Sequence, residues 1–201
     1  MTRRRSSYRS LASLQRDLSV CRACVEAGYP LESWPVRNSQ LGQRAYMYGQ
    51  APGIVEGEER RPWRGRAGKT LRRWLDLDED EFYTTFYCAS VTRCYPGRAT
   101  GRGDRTPSPR EQDLCAFWRE WELEILRPAL IVPVGGLAIK RVLGVSGLAS
   151  CIGCTYELAG AVVVPLPHPS GASSWLNLPA NRELTERAAA LVRAELTHLA
   201  R

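Results

Sequence analysis

The chain has 201 residues, 44% of them hydrophobic and 24% charged, a composition that can bury a real core. No apolar run reaches the roughly 20 residues of a membrane-crossing helix, and the basic start Met1-Thr2-Arg3-Arg4-Arg5 leads into no signal-peptide segment, so a cytoplasmic protein without membrane contact is expected. The net charge of +7 rests almost wholly on arginine, with Lys69 and Lys140 the only lysines, which suits phosphate binding without establishing it; seven cysteines in a reducing compartment point to metal or catalysis rather than to disulfides.

In chain order, the pattern gives a basic flexible tail over residues 1–10 and a single domain over residues 11–201. A short helix is expected from Leu11 to Val20, followed by a cysteine-containing turn. Four apolar segments bounded by Gly or Pro read as buried strands: Ala45–Gly49, Tyr83–Val91, Leu130–Val134 and Ala161–Leu166. Helical patterns lie at Gly68–Leu75, Ser108–Arg127 and Gly136–Leu143. A last amphipathic helix runs from about Asn181 to Leu199, with Leu184, Ala188, Leu191, Val192 and Leu196 on one stripe. Pro96–Pro109 is a flexible basic loop rich in Gly, Arg, Thr and Pro. Strands alternating with helices imply an α/β fold, a three-layer α/β/α sandwich around a central four-stranded, mostly parallel sheet. In such sheets ligands sit beyond the carboxyl ends of the strands, which points to Gly49–Gly53, Ser90–Cys94, Gly135–Gly136 and Pro167–Ser170.

Three motifs carry chemistry. Gly49-Gln50-Ala51-Pro52-Gly53 leaves the first strand, and Arg61-Pro62-Trp63-Arg64-Gly65-Arg66-Ala67-Gly68 then opens a helix. Read plainly this is a turn followed by a glycine-rich helix start. Read functionally, its glycines let backbone approach a planar ligand and Trp63 offers a ring on which a base can stack. His168-Pro169-Ser170 follows the last strand, where flanking prolines stiffen the loop; His198, in the terminal helix, is taken as structural. Cys21-x-x-Cys24, Cys94 and Cys115 form a possible four-thiolate set, for which spacing alone leaves a 4Fe–4S cluster and zinc equally open. Cys151-x-x-Cys154 is an alternative second pair or a structural turn, and Cys88 reads as a small buried hydrophobe.

Together these motifs resemble the uracil-DNA glycosylase superfamily, and within it the iron–sulfur-containing family 4, whose first signature is Gly-Glu-Ala-Pro-Gly, an acidic pair, then Pro-Phe-Val-Gly-x-Ala-Gly. The resemblance spans roughly residues 18–195. It implies a monofunctional base-excision glycosylase that flips a damaged base, uracil foremost, out of DNA and hydrolyses its N-glycosidic bond, and it favours 4Fe–4S over zinc at the four cysteines. By the same resemblance His168 donates to the base carbonyl and Gln50 joins it as a catalytic residue, while Gln50, Ala51, Gly53, Trp63, Ser90, His168 and Ser170 form the pocket. Gln50 stands where the family has Glu, Ser90 where it has Asn, and Trp63 where it has Phe. Ala51 is as in family 4, whereas other branches place a water-activating Asp there. Glu56 becomes a candidate to position water or act electrostatically, with a solvated loop charge as its plain alternative.

Arg64, Arg66, Arg98, Arg102 and Arg105 are candidate phosphate contacts on single-stranded or duplex DNA. The family's wedge position falls on the small Ala172, so Trp175 or Leu176 is expected to serve, unless both pack on the last helix. A monomer is expected. No lysine is placed for a Schiff base, so no lyase step is implied. The changes at Gln50 and Ser90 keep hypoxanthine, xanthine or another deaminated base open as the substrate. A non-catalytic lesion-binding relative and a metal-binding α/β protein acting on a nucleotide are the rivals. A branch that traps the abasic sugar on a loop histidine is set aside, because Gly97–Pro107 has none.

Overall fold

The computed structural model describes residues 2–31, 33–38, 40–101, 103–170 and 174–200. Helix α1 (Leu11–Leu18) begins at Ser10, whose hydroxyl accepts the Ser13 N–H, and buries Leu11, Leu14 and Leu18 on one side. A single turn, α2 (Ala23–Glu26), precedes strand β1 (Ala45–Gly49), then α3 (Ile54–Glu59) and α4 (Arg66–Leu75). Helix α5 (Glu79–Thr85) runs straight into β2 (Phe86–Ser90), so the apolar segment expected as one strand over Tyr83–Val91 begins with the end of a helix. The helix forms because Asp78 and Glu81 cap each other: the Asp78 side chain accepts the Glu81 N–H at 2.8 Å and the Glu81 carboxylate accepts the Asp78 N–H at 2.9 Å. Three acidic residues in its first turn complement the helix dipole. The same reciprocal cap, Ser108 with Glu111, starts α6 (Pro109–Leu126). Strand β3 (Leu130–Pro133), α7 (Gly136–Leu143), β4 (Tyr156–Leu158), β5 (Ala161–Val163) and α8 (Pro179–Leu199) complete the order.

The sheet order is β2-β1-β3-β5-β4, parallel except for β4. The sandwich is as expected, with a fifth strand added at one edge. That strand forms a hairpin with β5 through Ala159 and Gly160, both at positive φ, a turn that an Ala-Gly pair signals far more weakly than Asn-Gly. Side chains alternate across the sheet. Ala45 and Met47 face a core completed by Leu71 and Leu75 of α4, Phe82 of α5 and Ala188 and Val192 of α8. Tyr46 and Tyr48 face the opposite core, with Leu14 and Leu18 of α1 and Trp118 of α6. Residues 2–10, expected as a tail, lie against this second layer: Tyr8 is buried edge-on to Phe117 and Trp121, and its hydroxyl donates to Asp17 at 3.1 Å. Among the described residues no helix is long and apolar enough to cross a membrane.

The second core also buries a charge pair. Glu122 of α6 is fully enclosed and receives the Tyr46 hydroxyl at 2.7 Å, the Tyr87 hydroxyl at 3.0 Å and the guanidinium of Arg93, itself only 3% exposed. Tyr46 and Tyr87 stack with ring centroids 5.7 Å apart, and burial holds both phenols well above their usual range. Removing one partner would strand the other charge in the core. Glu122→Ala is therefore expected to lower stability by about 3–5 kcal/mol, read as an earlier midpoint in urea denaturation.

Candidate active site

A cleft of about 680 Å³ opens at the carboxyl ends of the parallel strands, within the size range of small-ligand sites. Five segments supply most of its lining: Gln50–Glu56 after β1, Pro62, Trp63 and Gly65–Ala67 leading into α4, Cys88–Ser90 of β2, Gly103–Thr106 before α6, and His168 with Ser170 after β5. The residues expected from sequence as the pocket (Gln50, Ala51, Gly53, Glu56, Trp63, Ser90, His168 and Ser170) thus share one cavity.

Glu56 holds two of these segments together. One carboxylate oxygen accepts the Gly53 N–H at 3.1 Å and the other the Gly65 N–H at 2.7 Å. Both oxygens are thereby engaged by backbone, a role more specific than that of a solvated loop charge. Trp63 lies at φ +57 and is fixed through its neighbours: the Trp63 carbonyl accepts from Arg72 at 3.0 Å, and the Pro62 carbonyl accepts the Tyr83 hydroxyl at 2.6 Å. Two glycines are required here. A Cβ on Gly68 would lie 1.8 Å from the Trp63 carbonyl oxygen, and one on Gly49 would meet the indole at 2.9 Å. The indole therefore lies directly over the end of β1, facing the imidazole of His168 with centroids 6.4 Å apart.

His168 is oriented by its own loop. Its Nδ1 accepts the Ser170 N–H at 3.2 Å and lies 2.8 Å from the Ser170 hydroxyl, so the neutral ring carries its proton on Nε2. Burial lowers its pKa from the ordinary 6.5, and the Glu56 carboxylate only partly opposes this. Gly135, at φ +87, passes beside His168, where a Cβ would lie 3.3 Å from the His168 Cβ and 3.4 Å from the ring. Across the cleft, Ser90 donates its hydroxyl proton to the Thr92 carbonyl at 2.6 Å, which leaves the oxygen to act only as an acceptor. The cleft thus offers a planar group one aromatic face, one fixed N–H donor and one fixed acceptor.

The expected phosphate ligands divide. Arg66 lines the cleft and is exposed, and Arg98 is exposed on the neighbouring loop. Arg64 is held by Glu59 and Glu79, and Arg105 grips Glu111 through two contacts at 2.6 and 2.7 Å, so both serve internal ion pairs. Arg102 and Ala172 lie outside the described residues. Trp175 donates its indole N–H to Thr185 of α8 at 3.2 Å and packs on the first core, while the Leu176 carbonyl accepts from Arg182 at 2.9 Å. Sequence reasoning missed Asp104, a second carboxylate on the cleft wall, because only the fold brings that loop to the strand ends.

A second, smaller cavity lies behind the same wall. Cys21, Cys24, Cys94 and Cys115 all line it, and Arg93 and Pro96 border both cavities. Burial pushes the Cys24 thiol up to about 11 and Cys115 up to about 12, and raises Cys94 as well, with the other thiols adding to each shift. Four thiols around one space, Cys21 and Cys115 buried and Cys24 and Cys94 partly so, make a soft donor set that becomes favourable as thiolates only around a cation. Among the described residues no three His, Cys, Asp or Glu side chains are arranged so that they could hold a metal ion. Cys151 and Cys154 stand apart, in the turn between α7 and β4, with Cys151 in the first core beside α8. Cys88 is buried in β2, as expected.

Residues 38–192 match the model of the uracil DNA glycosylase superfamily. A type-4 uracil-DNA glycosylase of Thermotoga maritima is 30% identical over 142 residues, covering 67% of this chain and 69% of that protein. The type-4 enzyme of Sulfurisphaera tokodaii is 25% identical over 182 residues, covering 81% and 76%, and that of Archaeoglobus fulgidus is 28% identical over 134 residues, covering 65% and 62%.

The geometry at His168 makes a prediction. Nitrogen NMR of the folded protein should show a neutral imidazole protonated at Nε2 at pH 7, with a titration midpoint below 6.5. A midpoint at or above 6.5 would mean that burial does not govern the ring.

Proposed function

The chain belongs to the uracil-DNA glycosylase superfamily, and we propose that it is a monofunctional DNA glycosylase that takes a deaminated base, uracil foremost, out of the helix and hydrolyses its N-glycosidic bond. The observation that carries this reading is the neutral His168, its Nε2–H free of the Ser170 contact and its ring opposite Trp63 in a cleft with ample room for a nucleotide. A base must leave the duplex stack to reach such a site. Once there it stacks on Trp63, and its carbonyl oxygen receives the His168 proton donor. As the C1′–N bond breaks, the electron pair moves onto the base, and the donor stabilises the negative charge where it develops. A neutral donor suits this task, because it adds no charge that would hold the base before the bond breaks.

The acceptor-only oxygen of Ser90 refines the substrate. Uracil at N3, and hypoxanthine and xanthine at N1, each present an N–H next to a carbonyl. Cytosine and adenine present a lone pair at the corresponding ring nitrogen, which would face the Ser90 oxygen without a proton between them. The acceptor therefore selects against cytosine and adenine, the parents of uracil and hypoxanthine, but not against thymine or guanine, which carry the same N–H; loss of the longer Asn side chain leaves room for a purine. Exposed Arg66 and Arg98 serve as phosphate contacts in this reading, whereas Arg64 and Arg105 stiffen the loops that carry them.

For Cys21, Cys24, Cys94 and Cys115 the reading is a 4Fe–4S cluster, with zinc as the alternative. Support comes from their convergence on one cavity and the soft chemistry of the donors, together with the family 4 resemblance. When bound, the cluster supplies structure rather than a reacting group. The protein's own residues derive their arrangement from the two chain segments it would join, residues 21–24 and the loop from Cys94 to Cys115.

Two measurements test these readings. Protein purified without oxygen and offered oligonucleotides carrying uracil, hypoxanthine or xanthine should release base, and His168→Ala should slow release by roughly 10²–10³-fold. Release of no base from any of the three would overturn the assignment. The same preparation should be coloured and contain iron and acid-labile sulfide, both lost in Cys94→Ser together with a drop in melting temperature; zinc without sulfide would select the alternative.

A further inference from the structure

We propose that Cys151 and Cys154 form a redox-active dithiol that closes to an intramolecular disulfide on encounter with a small-molecule disulfide. The proposal stands independently of the glycosylase reading, since neither residue lines the cleft or the four-thiol cavity. The seven cysteines differ in access. Cys21, Cys88, Cys115 and Cys151 are buried, Cys24 and Cys94 are half-buried, and Cys154 alone is exposed. The pair is too small a donor set for structural zinc, which takes four ligands, and among the described residues no group of three His, Cys, Asp or Glu side chains includes it. Two neighbouring thiols without a metal site are left with thiol–disulfide chemistry.

The turn that carries them brings the two residues within bridging range. The Cys154 N–H donates to the Cys151 carbonyl at 3.3 Å. A turn closed by such a bond keeps its end Cα atoms within about 7 Å, and a disulfide spans about 4.4–6.8 Å. Gly153 takes the third position of the turn at φ +83, a conformation that side chains rarely adopt. A Cβ there would meet Arg187 and Leu184 of α8 at 3.4 Å, so the turn is seated on that helix, and Cys151 and Ile152 anchor it in the first core. The two sulfurs share one neighbourhood. Burial raises the Cys151 thiol and the Cys154 sulfur raises it further, while the Tyr156 phenol is raised by burial and then by both cysteines. At rest Cys151 is a neutral thiol that donates to the Gly147 carbonyl at 3.3 Å.

The difference in access sets the order of events. A disulfide in solution reaches Cys154 and not Cys151. The Cys154 thiolate attacks one sulfur of that disulfide, its S–S bond breaks, and the other sulfur leaves as a thiolate that takes up a proton. Cys151 then gives its proton to solvent and attacks the Cys154 sulfur, forming the internal bond and expelling the second small thiolate. In sum the two protein thiols lose two electrons and two protons, and the small disulfide gains them as two thiols.

The test exposes the folded wild-type holoprotein to oxidised glutathione and follows its tryptic peptides by mass spectrometry. The segment Val142–Arg182 holds Cys151 and Cys154 and no other cysteine, so its mass reports the pair directly. Expected is the loss of two hydrogens from that segment, reversed by dithiothreitol, with Cys88 unmodified. In Cys151→Ala the same treatment should leave glutathione attached at Cys154, and in Cys154→Ser the segment should stay unmodified. A wild-type segment that stays reduced, or that stops at the glutathione adduct, overturns the proposal. So does oxidation that reaches Cys88 at the same rate, because the pair would then react only in an opened chain. The wild-type measurement decides by itself where Cys151→Ala, a change in the core, folds poorly.

Discussion

A guanidinium and a carboxylate can be taken out of water only together, and the Arg93–Glu122 pair imposes that condition on the centre of this molecule. Glu122 comes from α6 and Arg93 from the segment leaving β2, so the helix and the strand end are bound to one register. Within that segment Ser90 faces the cleft and Cys94 faces the thiol cavity, with Arg93 bordering both. The tyrosines of β1 and β2 complete the arrangement by donating to the same carboxylate. The wall between the two cavities therefore has a polar anchor inside an otherwise apolar layer, and its position cannot drift without exposing a charge to hydrocarbon.

On the cleft side of that wall, main-chain groups do much of the organising. Glu56 fastens the loop after β1 to the loop before α4, and Gly68 lets the carbonyl of Trp63 approach a helix to a distance no other residue permits. The loop from Cys94 to Cys115 supplies the opposite side. Its ends reach the thiol cavity and its middle reaches the cleft, with Arg105 and Glu111 tying the two together. The thiol cavity and the cleft are thus joined through one braced loop.

The sequence displayed β1 and α7 to the residue, because each is a self-contained apolar pattern bounded by glycine. It disguised the end of α5, since Tyr83 opens the apolar segment that continues through β2 and only the Asp78–Glu81 cap reveals the helix. The residues of the two signature loops were legible because they stand in order along the chain. Asp104 was not, because only the fold brings its loop to the cleft wall beside the loop after β1. The arginines were readable as charge but not as partners: Arg64 and Arg105 differ from Arg66 only in having carboxylates near them in space.

Trp63 bears on the thermodynamics of recognition. Its backbone is held in a left-handed conformation, its carbonyl is gripped by Arg72 and crowded by Gly68, and its ring rests against Gly49. A side chain so confined has already surrendered its rotational freedom when the chain folds. A ring that stacks upon it forfeits its own mobility but asks the protein for little more, so most of the stacking energy survives as affinity instead of being spent on ordering the receptor.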